Sequence, residues 1–130
     1  MKNKFGFILV NPQLGENIGA CARSMKNFNF KKLNIVSPKF AFPNHKTKVT
    51  SVGAYDIINS AKVFKNIEEA INEFDIVISL SARRRDINKK HISFKDFKDI
   101  LKKRASSKFG FMFGPESSGL SNKDISLSNF

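Results

Sequence analysis

Short, nearly continuous apolar runs alternate along the chain with segments in which apolar residues recur every three or four positions. The runs predict buried strands, and the three- and four-residue spacing predicts helices that bury one face. The pattern predicts strands at residues 5–10, 33–36, 61–64, 75–80 and 109–113. It predicts helices at 16–28, 67–74, 94–104 and 122–127, a weaker helix at 50–59, and a basic, proline-containing loop at 39–48.

Regular alternation of strands and helices predicts an α/β fold, with a largely parallel sheet covered by helices on both faces. The first helix has an apolar face of Ile18, Cys21, Ala22, Met25 and Phe28, and Arg23 and Lys26 lie off it. The helix at 94–104 is expected to turn inward Phe94, Phe97, Ile100 and Leu101, with Ser93 as its N-cap. A length of 130 residues predicts one domain, residues 1–130.

The cysteine count and the start of the chain indicate the cellular compartment in which the protein is located. One cysteine, Cys21, excludes a disulfide framework and fits the reducing cytoplasm. The first apolar run is too short for a secretory signal or a membrane span. We therefore expect a soluble, cytoplasmic protein with no membrane partner. His45 and His91 have no cysteine or carboxylate at ligand spacing, so no metal site is predicted.

The net charge of +12 favours a polyanionic partner such as RNA. Lysine supplies 18 of the 23 basic residues, and asparagine, isoleucine and phenylalanine are also abundant. Codon drift in an AT-rich genome is therefore an alternative source of the excess. Drift does not explain three consecutive arginines at 83–85, which follow a predicted strand and suit phosphate binding. A solvated basic loop is the alternative there.

Two further segments, 17–23 and 113–120, also follow predicted strands, at the edge where open α/β sheets bind ligands. The second segment has glycines at the spacing of a nucleotide-binding P-loop, but it has Leu120 where that loop needs lysine. Nucleoside triphosphatase activity is therefore not predicted, and a glycine-rich turn is the plain alternative. Ser117 and Ser118 have no partnered His-Asp arrangement, so a hydrolase is not supported either.

The strings Asn-Ile-Gly-Ala-Cys-Ala-Arg at 17–23 and Phe-Gly-Pro-Glu-Ser-Ser-Gly-Leu at 113–120 resemble the first two motifs of the SPOUT methyltransferases. The closest branch is the TrmJ-type tRNA ribose 2′-O-methyltransferases. This resemblance implies an α/β-knot fold, S-adenosylmethionine as cofactor and tRNA as substrate. It also implies a homodimer in which each active site draws on both protomers.

The resemblance also implies roles for individual residues. It makes Arg23 the catalytic residue and assigns cofactor binding to Leu80, Ser81, Ala82 and Gly114. It assigns RNA binding to Asn17, Arg83, Arg84 and Arg85, and leaves Gly19, Glu116 and Gly119 as further motif positions. Because a guanidinium has a very high pKa, Arg23 acts either as a base in an unusual environment or as an electrostatic clamp on phosphate or alkoxide.

A third family motif, Ser-Leu-Asn after one further strand, is not found before Phe130. We therefore expect a domain truncated at its C-terminus, with an incomplete knot, weak cofactor binding and one unpaired apolar sheet edge. Two functional hypotheses follow. One is a tRNA 2′-O-methyltransferase domain, and the other is a non-catalytic RNA-binding remnant of such an enzyme.

Overall fold

The computed structural model describes residues 4–81 and 91–130. Five parallel strands form one sheet in the order β3-β2-β1-β5-β4, as the alternation of elements predicts. The central strands β1 and β5 have the predicted bounds because both are almost continuous apolar runs. The strands are β1 (Phe5–Val10), β2 (Lys32–Val36), β3 (Lys62–Phe64), β4 (Ile76–Ser79) and β5 (Phe109–Phe113).

The helices follow the predicted order, with one addition. They are α1 (Gly15–Asn27), α2 (His45–Thr50), α3 (Tyr55–Ser60), α4 (Ile67–Ile71), α5 (Phe94–Lys103) and α6 (Asn122–Ser126). The prediction of a loop throughout 39–48 is wrong, because α2 begins at His45. Asn44 and Thr47 cap each other's backbone N–H groups there, and this capping box starts a helix that has no strong apolar periodicity.

Helices cover both faces of the sheet. On one face, Ile8, Val10, Val77 and Met112 pack against α4 and α6. On the other face, α1 and α3 cover the β1–β2 side and α5 covers β4 and β5. Alternate residues of each strand therefore enter separate apolar clusters, as expected for a parallel sheet buried on both faces.

Two phenylalanines do not lie where the helical spacing predicts. Phe28 is 69% exposed, because α1 ends at Asn27 and Phe28 has left the helical conformation. Phe94, in the first turn of α5, is 73% exposed. It lies outside the apolar cluster on β4 and β5 against which the later apolar residues of this helix pack. Its ring instead lies 5.3 Å from the Lys98 ammonium. Ser93 caps α5 as predicted.

The outer edge of β4 is paired with the last residues of the chain. The backbone N–H of Asn129 donates to the Val77 carbonyl at 2.8 Å, and the Ser79 N–H donates to the Phe130 carbonyl at 3.0 Å. The Asn129 side chain also accepts a hydrogen bond from the Val77 N–H at 2.7 Å. The expected unpaired sheet edge is therefore not found on this strand.

Helix α1 packs very closely on α2 through its glycines. A Cβ on Gly19 would overlap the Thr50 hydroxyl and lie 2.9 Å from the Thr50 carbonyl carbon. A Cβ on Gly15 would lie 2.7 Å from the Asn44 side-chain oxygen. The glycine of the first motif thus fixes the separation of two helices. None of the helices in the described ranges is long and apolar enough to cross a bilayer.

We expect Gly19→Ala to destabilise the protein by about 1–3 kcal/mol, the usual cost of overpacking, despite the better helix propensity of alanine. The melting temperature should fall by roughly 3–10 °C. Ser24→Ala, at an exposed position of the same helix, is the control and should leave the melting temperature unchanged or slightly raised. Equal melting temperatures for Gly19→Ala and wild type would contradict the close packing of α1 on α2.

Burial raises the pKa of the Cys21 thiol to about 11. Because the thiolate is the reactive form, we expect alkylation of native Cys21 by iodoacetamide at neutral pH to be far slower than alkylation of the urea-unfolded chain. Mass spectrometry of timed samples measures both rates. Equal rates in the two states would show that the thiol is not protected by the fold.

Candidate active site

The loops after β1 and β5 are joined by the carboxylate of Glu116. One carboxylate oxygen, Oε1, accepts the backbone N–H of Gln13 at 2.9 Å. The other, Oε2, accepts the Leu14 N–H and the side-chain amide of Asn17, each at 2.9 Å. Leu14 is the N-cap residue of α1 and has no capping side chain of its own. Glu116 therefore binds the N–H of the N-cap residue of α1 from another part of the chain, where a negative charge also suits the helix dipole.

Gln13, in the loop after β1, also binds the loop after β5. Its side-chain oxygen accepts the backbone N–H of Ser117 at 3.0 Å and the Ser117 hydroxyl at 2.8 Å. Each loop thus supplies a side-chain acceptor to backbone donors of the other loop. The sequence gives no local signal for Gln13, because its partner lies 104 residues away.

These hydrogen bonds keep Glu116 ionised. Partial burial alone would raise the pKa of Glu116, but the hydrogen bonds from Gln13, Asn17 and Leu14 outweigh it and hold the pKa below its usual value. A negatively charged Glu116 is the form that accepts all of these donors. The two motifs are therefore held together most strongly when this carboxyl group is deprotonated.

The second motif folds back on its own start. A Cβ on Gly114 would overlap the backbone of Gly119 and Leu120. Gly119 has φ +71°, a conformation that favours glycine, and its N–H donates to the Pro115 carbonyl at 2.8 Å. Leu120 is fully buried just before α6. In the described structure, Gly114 is required by contacts within the turn itself.

The predicted cofactor residues Leu80 and Ser81 lie beside Gly114. Strands β4 and β5 are neighbours, and the Leu80 N–H extends their pairing by donating to the Met112 carbonyl at 2.9 Å. Leu80 is 43% exposed and Ser81 is exposed. Three of the four predicted cofactor residues therefore share one stretch of the carboxyl edge. The fourth, Ala82, and the predicted RNA-binding residues Arg83, Arg84 and Arg85 lie outside the described residues.

Arg23 lies away from this edge. It is exposed, eight residues after α1 begins, which places it about 12 Å along the helix. It also follows Gly19 by one turn, so it is on the α2 side of α1, whereas Asn17 is bonded to the β5 loop. No hydrogen bond or ion pair joins its guanidinium to another described residue. Arg23 therefore lies about two helical turns from the end of α1 that meets this edge.

Among the described residues, no group of three or more histidine, cysteine, aspartate or glutamate side chains is placed to hold a metal ion. The polar groups that converge at this edge are instead one carboxylate, two side-chain amides and a hydroxyl. They are bonded mainly to each other and to backbone N–H groups. This arrangement can shape a binding edge and position nearby groups.

We expect Glu116→Gln to destabilise the protein by about 1 kcal/mol, as loss of a helix cap usually does. Because the pKa of Glu116 is lowered in the folded state, its contribution is complete at neutral pH and is lost as pH falls through the folded-state pKa. The difference in unfolding free energy between wild type and variant should therefore shrink between about pH 6 and pH 3.

Urea unfolding at several pH values measures this difference. Asp99→Asn removes one charge from an exposed position of α5 and is the control, with little expected effect at any pH. A Glu116→Gln variant as stable as wild type at neutral pH would show that the carboxylate does not hold the two loops together.

Sequence and structure comparisons identify relatives of this chain. The SpoU rRNA Methylase family matches residues 4–130. The tRNA (cytidine-2′-O-)-methyltransferase TrmJ of Methanocaldococcus jannaschii is 37% identical over 91% of the chain. The tRNA (cytidine/uridine/adenosine-2′-O-)-methyltransferase TrmJ of Pseudomonas aeruginosa is 30% identical over 100% of the chain. These matches cover 52% and 51% of the two relatives, so the chain spans about half their length.

A solved structure gives the same result for the fold. The crystal structure of TrmJ from Z. mobilis superimposes with a TM-score of 0.87 at 33% identity, over 95% of this chain and 55% of that one. The parallel sheet and its covering helices therefore belong to a known architecture. The chain is a member of the SpoU methylase family of SPOUT methyltransferases.

Proposed function

We propose that this chain forms the methyltransferase domain of a tRNA ribose 2′-O-methyltransferase that uses S-adenosylmethionine. The observation that carries the proposal is the joining of the two family motifs by Glu116 at the carboxyl edge of the sheet. Relatives at 37% and 30% identity are named tRNA 2′-O-methyltransferases. Open α/β sheets bind ligands at this edge.

The cofactor would lie across the ends of β4 and β5. Leu80 offers an exposed apolar side chain, and Leu80, Ser81 and Gly114 carry no charge. Such a surface fits an adenosine group held by backbone contacts and apolar packing. Ala82 would extend the same surface. When bound, S-adenosylmethionine supplies a methyl group attached to a sulfonium.

RNA would approach the same edge. Asn17 donates its side-chain amide to Glu116, which leaves its carbonyl oxygen to accept a hydrogen bond from a ribose hydroxyl. Arg83, Arg84 and Arg85 follow β4 in sequence and would bind phosphates through their guanidinium groups. The net charge of +12 favours the same polyanion. A tRNA substrate also agrees with a cytoplasmic location.

Arg23 would serve the site of a second copy. Its separation from Leu80 and Gly114 along and around α1 makes catalysis within one chain geometrically unfavourable. A homodimer of the knotted family type would place Arg23 of one protomer at the cofactor edge of its partner. There, the guanidinium would bind the phosphate beside the target ribose or the alkoxide that develops as the hydroxyl attacks.

Mixing two inactive variants tests this arrangement. Arg23→Ala removes the guanidinium, and Leu80→Arg places a bulky charge at the cofactor edge. If Arg23 acts in the partner's site, an equal mixture that is unfolded and refolded together should recover roughly a quarter of wild-type methylation, because half of the dimers are then mixed and each has one intact site. Incorporation of labelled methyl groups into tRNA measures recovery.

Arg104→Ala is the control for loss of an exposed arginine and should retain activity. Calorimetry should show that Arg23→Ala binds S-adenosylmethionine within a few-fold of wild type. An inactive mixture of two folded, dimeric variants would place Arg23 in the site of its own chain. Full activity of Arg23→Ala alone would remove Arg23 from the mechanism, and a wild-type protein inactive on tRNA would favour the non-catalytic remnant.

A further inference from the structure

A basic cavity lies at the amino-terminal edge of the sheet, opposite the candidate active site. Its volume is about 310 Å³. It is located where β1, β2 and β3 begin, since Lys32 pairs with Gly6 and Lys62 pairs with Asn34 in the sheet. The lining residues that matter here are Phe5, Lys31, Lys32, Asn34, Ser60 and Lys62.

One of the three lysines already has a partner. Lys32 forms an ion pair with Glu73, and that carboxylate also accepts the Asn34 amide at 2.8 Å. Burial alone would raise the pKa of Glu73, but its bonds to Lys32 and Asn34 lower it below the usual value. Glu73 is therefore ionised and cancels one of the three lysine charges.

The other two lysines supply the remaining positive charge, and Lys62 also attracts the Glu73 carboxylate and helps to lower its pKa. Lys31 and Lys62 are exposed, and neither ammonium is bonded to another described residue. Together with the Lys32–Glu73 pair they leave a charge of about +2 around the cavity at neutral pH. Two like charges at one opening repel each other, and an anion between them removes that repulsion. The Ser60 hydroxyl, which donates to the Asp56 carbonyl at 2.9 Å, lies at the same cavity.

We propose that this cavity holds a backbone phosphate of the RNA whose ribose is methylated at the opposite edge. This proposal depends on the proposed function, because that function supplies the RNA as the polyanion. Lysines on flexible stems suit a phosphate in a moving RNA backbone. The described lining has neither the arginine fork nor the glycine-rich loop that typically grips the phosphates of a free nucleotide.

The distance between the two edges fits an extended polymer. Strand β1 has six residues, so its ends are about 17 Å apart. A tRNA is long enough to contact both edges, whereas a small anion in the cavity would have no connection to the active site. The cavity would therefore act as a second anchor that fixes the direction of the RNA across the domain.

Lys31→Gln with Lys62→Gln tests the anchor without disturbing the Lys32–Glu73 pair. Loss of one phosphate contact should weaken tRNA binding about tenfold at 50 mM salt and reduce the log–log salt slope by about 0.7–0.9. Filter binding of labelled tRNA at several salt concentrations measures both quantities. Lys31→Arg with Lys62→Arg keeps the charge and should bind within about twofold of wild type.

Lys102→Gln with Lys103→Gln removes the same charge from exposed positions on α5 and is the matched control. An equal loss of affinity in the control pair would overturn the anchor in favour of diffuse attraction, and so would an unchanged slope in the cavity pair. Labelled AMP and inorganic phosphate are tested on the same variants. Micromolar binding of either that requires Lys31 and Lys62, with tRNA binding unchanged, would make the cavity a small-anion site and overturn the proposal.

The outcome separates this inference from the proposed function. Wild-type protein that binds and methylates tRNA, with no difference for the cavity pair, leaves the function in place and removes the anchor. Wild-type protein that does not bind tRNA removes both. Thermal unfolding of every variant confirms that differences in binding are measured on folded protein.

Discussion

The architecture of the candidate site depends on one carboxylate at the start of α1. The first turn of a helix leaves backbone N–H groups without partners, and Leu14 brings no side chain to satisfy them. Glu116, from the loop after β5, accepts the N–H of the N-cap residue Leu14, the preceding N–H of Gln13 and the Asn17 side-chain amide, and Gln13 binds that loop in return. Because β1 and β5 are adjacent central strands, this exchange ties together the two segments that define the family.

The two edges of the sheet have different electrostatic character. At the carboxyl edge, hydrogen bonds from Gln13 and Asn17 stabilise the negative charge of Glu116. At the amino edge, Lys31 and Lys62 remain unpaired with described residues and surround an open cavity. Strand β1 contributes to both, since Phe5 lines the cavity and the loop that follows Val10 carries Gln13. A polyanion that contacts both edges would therefore meet a hydrogen-bonded carboxylate at one end and two exposed lysines at the other.

Much of the fold could be predicted because the strong signals are local. The apolar runs at 5–10 and 109–113 gave correct bounds, and the alternation of strands and helices gave the correct parallel sheet. The predicted helix positions were wrong where the spacing of apolar residues does not determine where a helix begins or ends. Phe28 lies just past a helix end, and α2 is started by a capping box instead of an apolar stripe.

The candidate site was less predictable, because its contacts join residues about a hundred positions apart. The sequence marked Glu116 and Asn17 as motif residues but could not show that they bind each other. The helical spacing does predict that Arg23 lies about two turns into α1, but it could not show that this helix packs closely on α2 through Gly19. The roles of the site residues remain predictions.

The turn from Gly114 to Leu120 has a thermodynamic consequence for ligand binding. Its two ends are in contact, Gly119 is bonded to Pro115, and Leu120 is anchored in the core. The conformational entropy of this segment is therefore lost when the protein folds, before any ligand arrives. A ligand that binds against the turn meets a preorganised surface, and little of its binding energy is spent on ordering that loop. The same rigidity limits the ligand shapes that fit against the turn. The turn therefore selects ligands by a shape that it does not adjust.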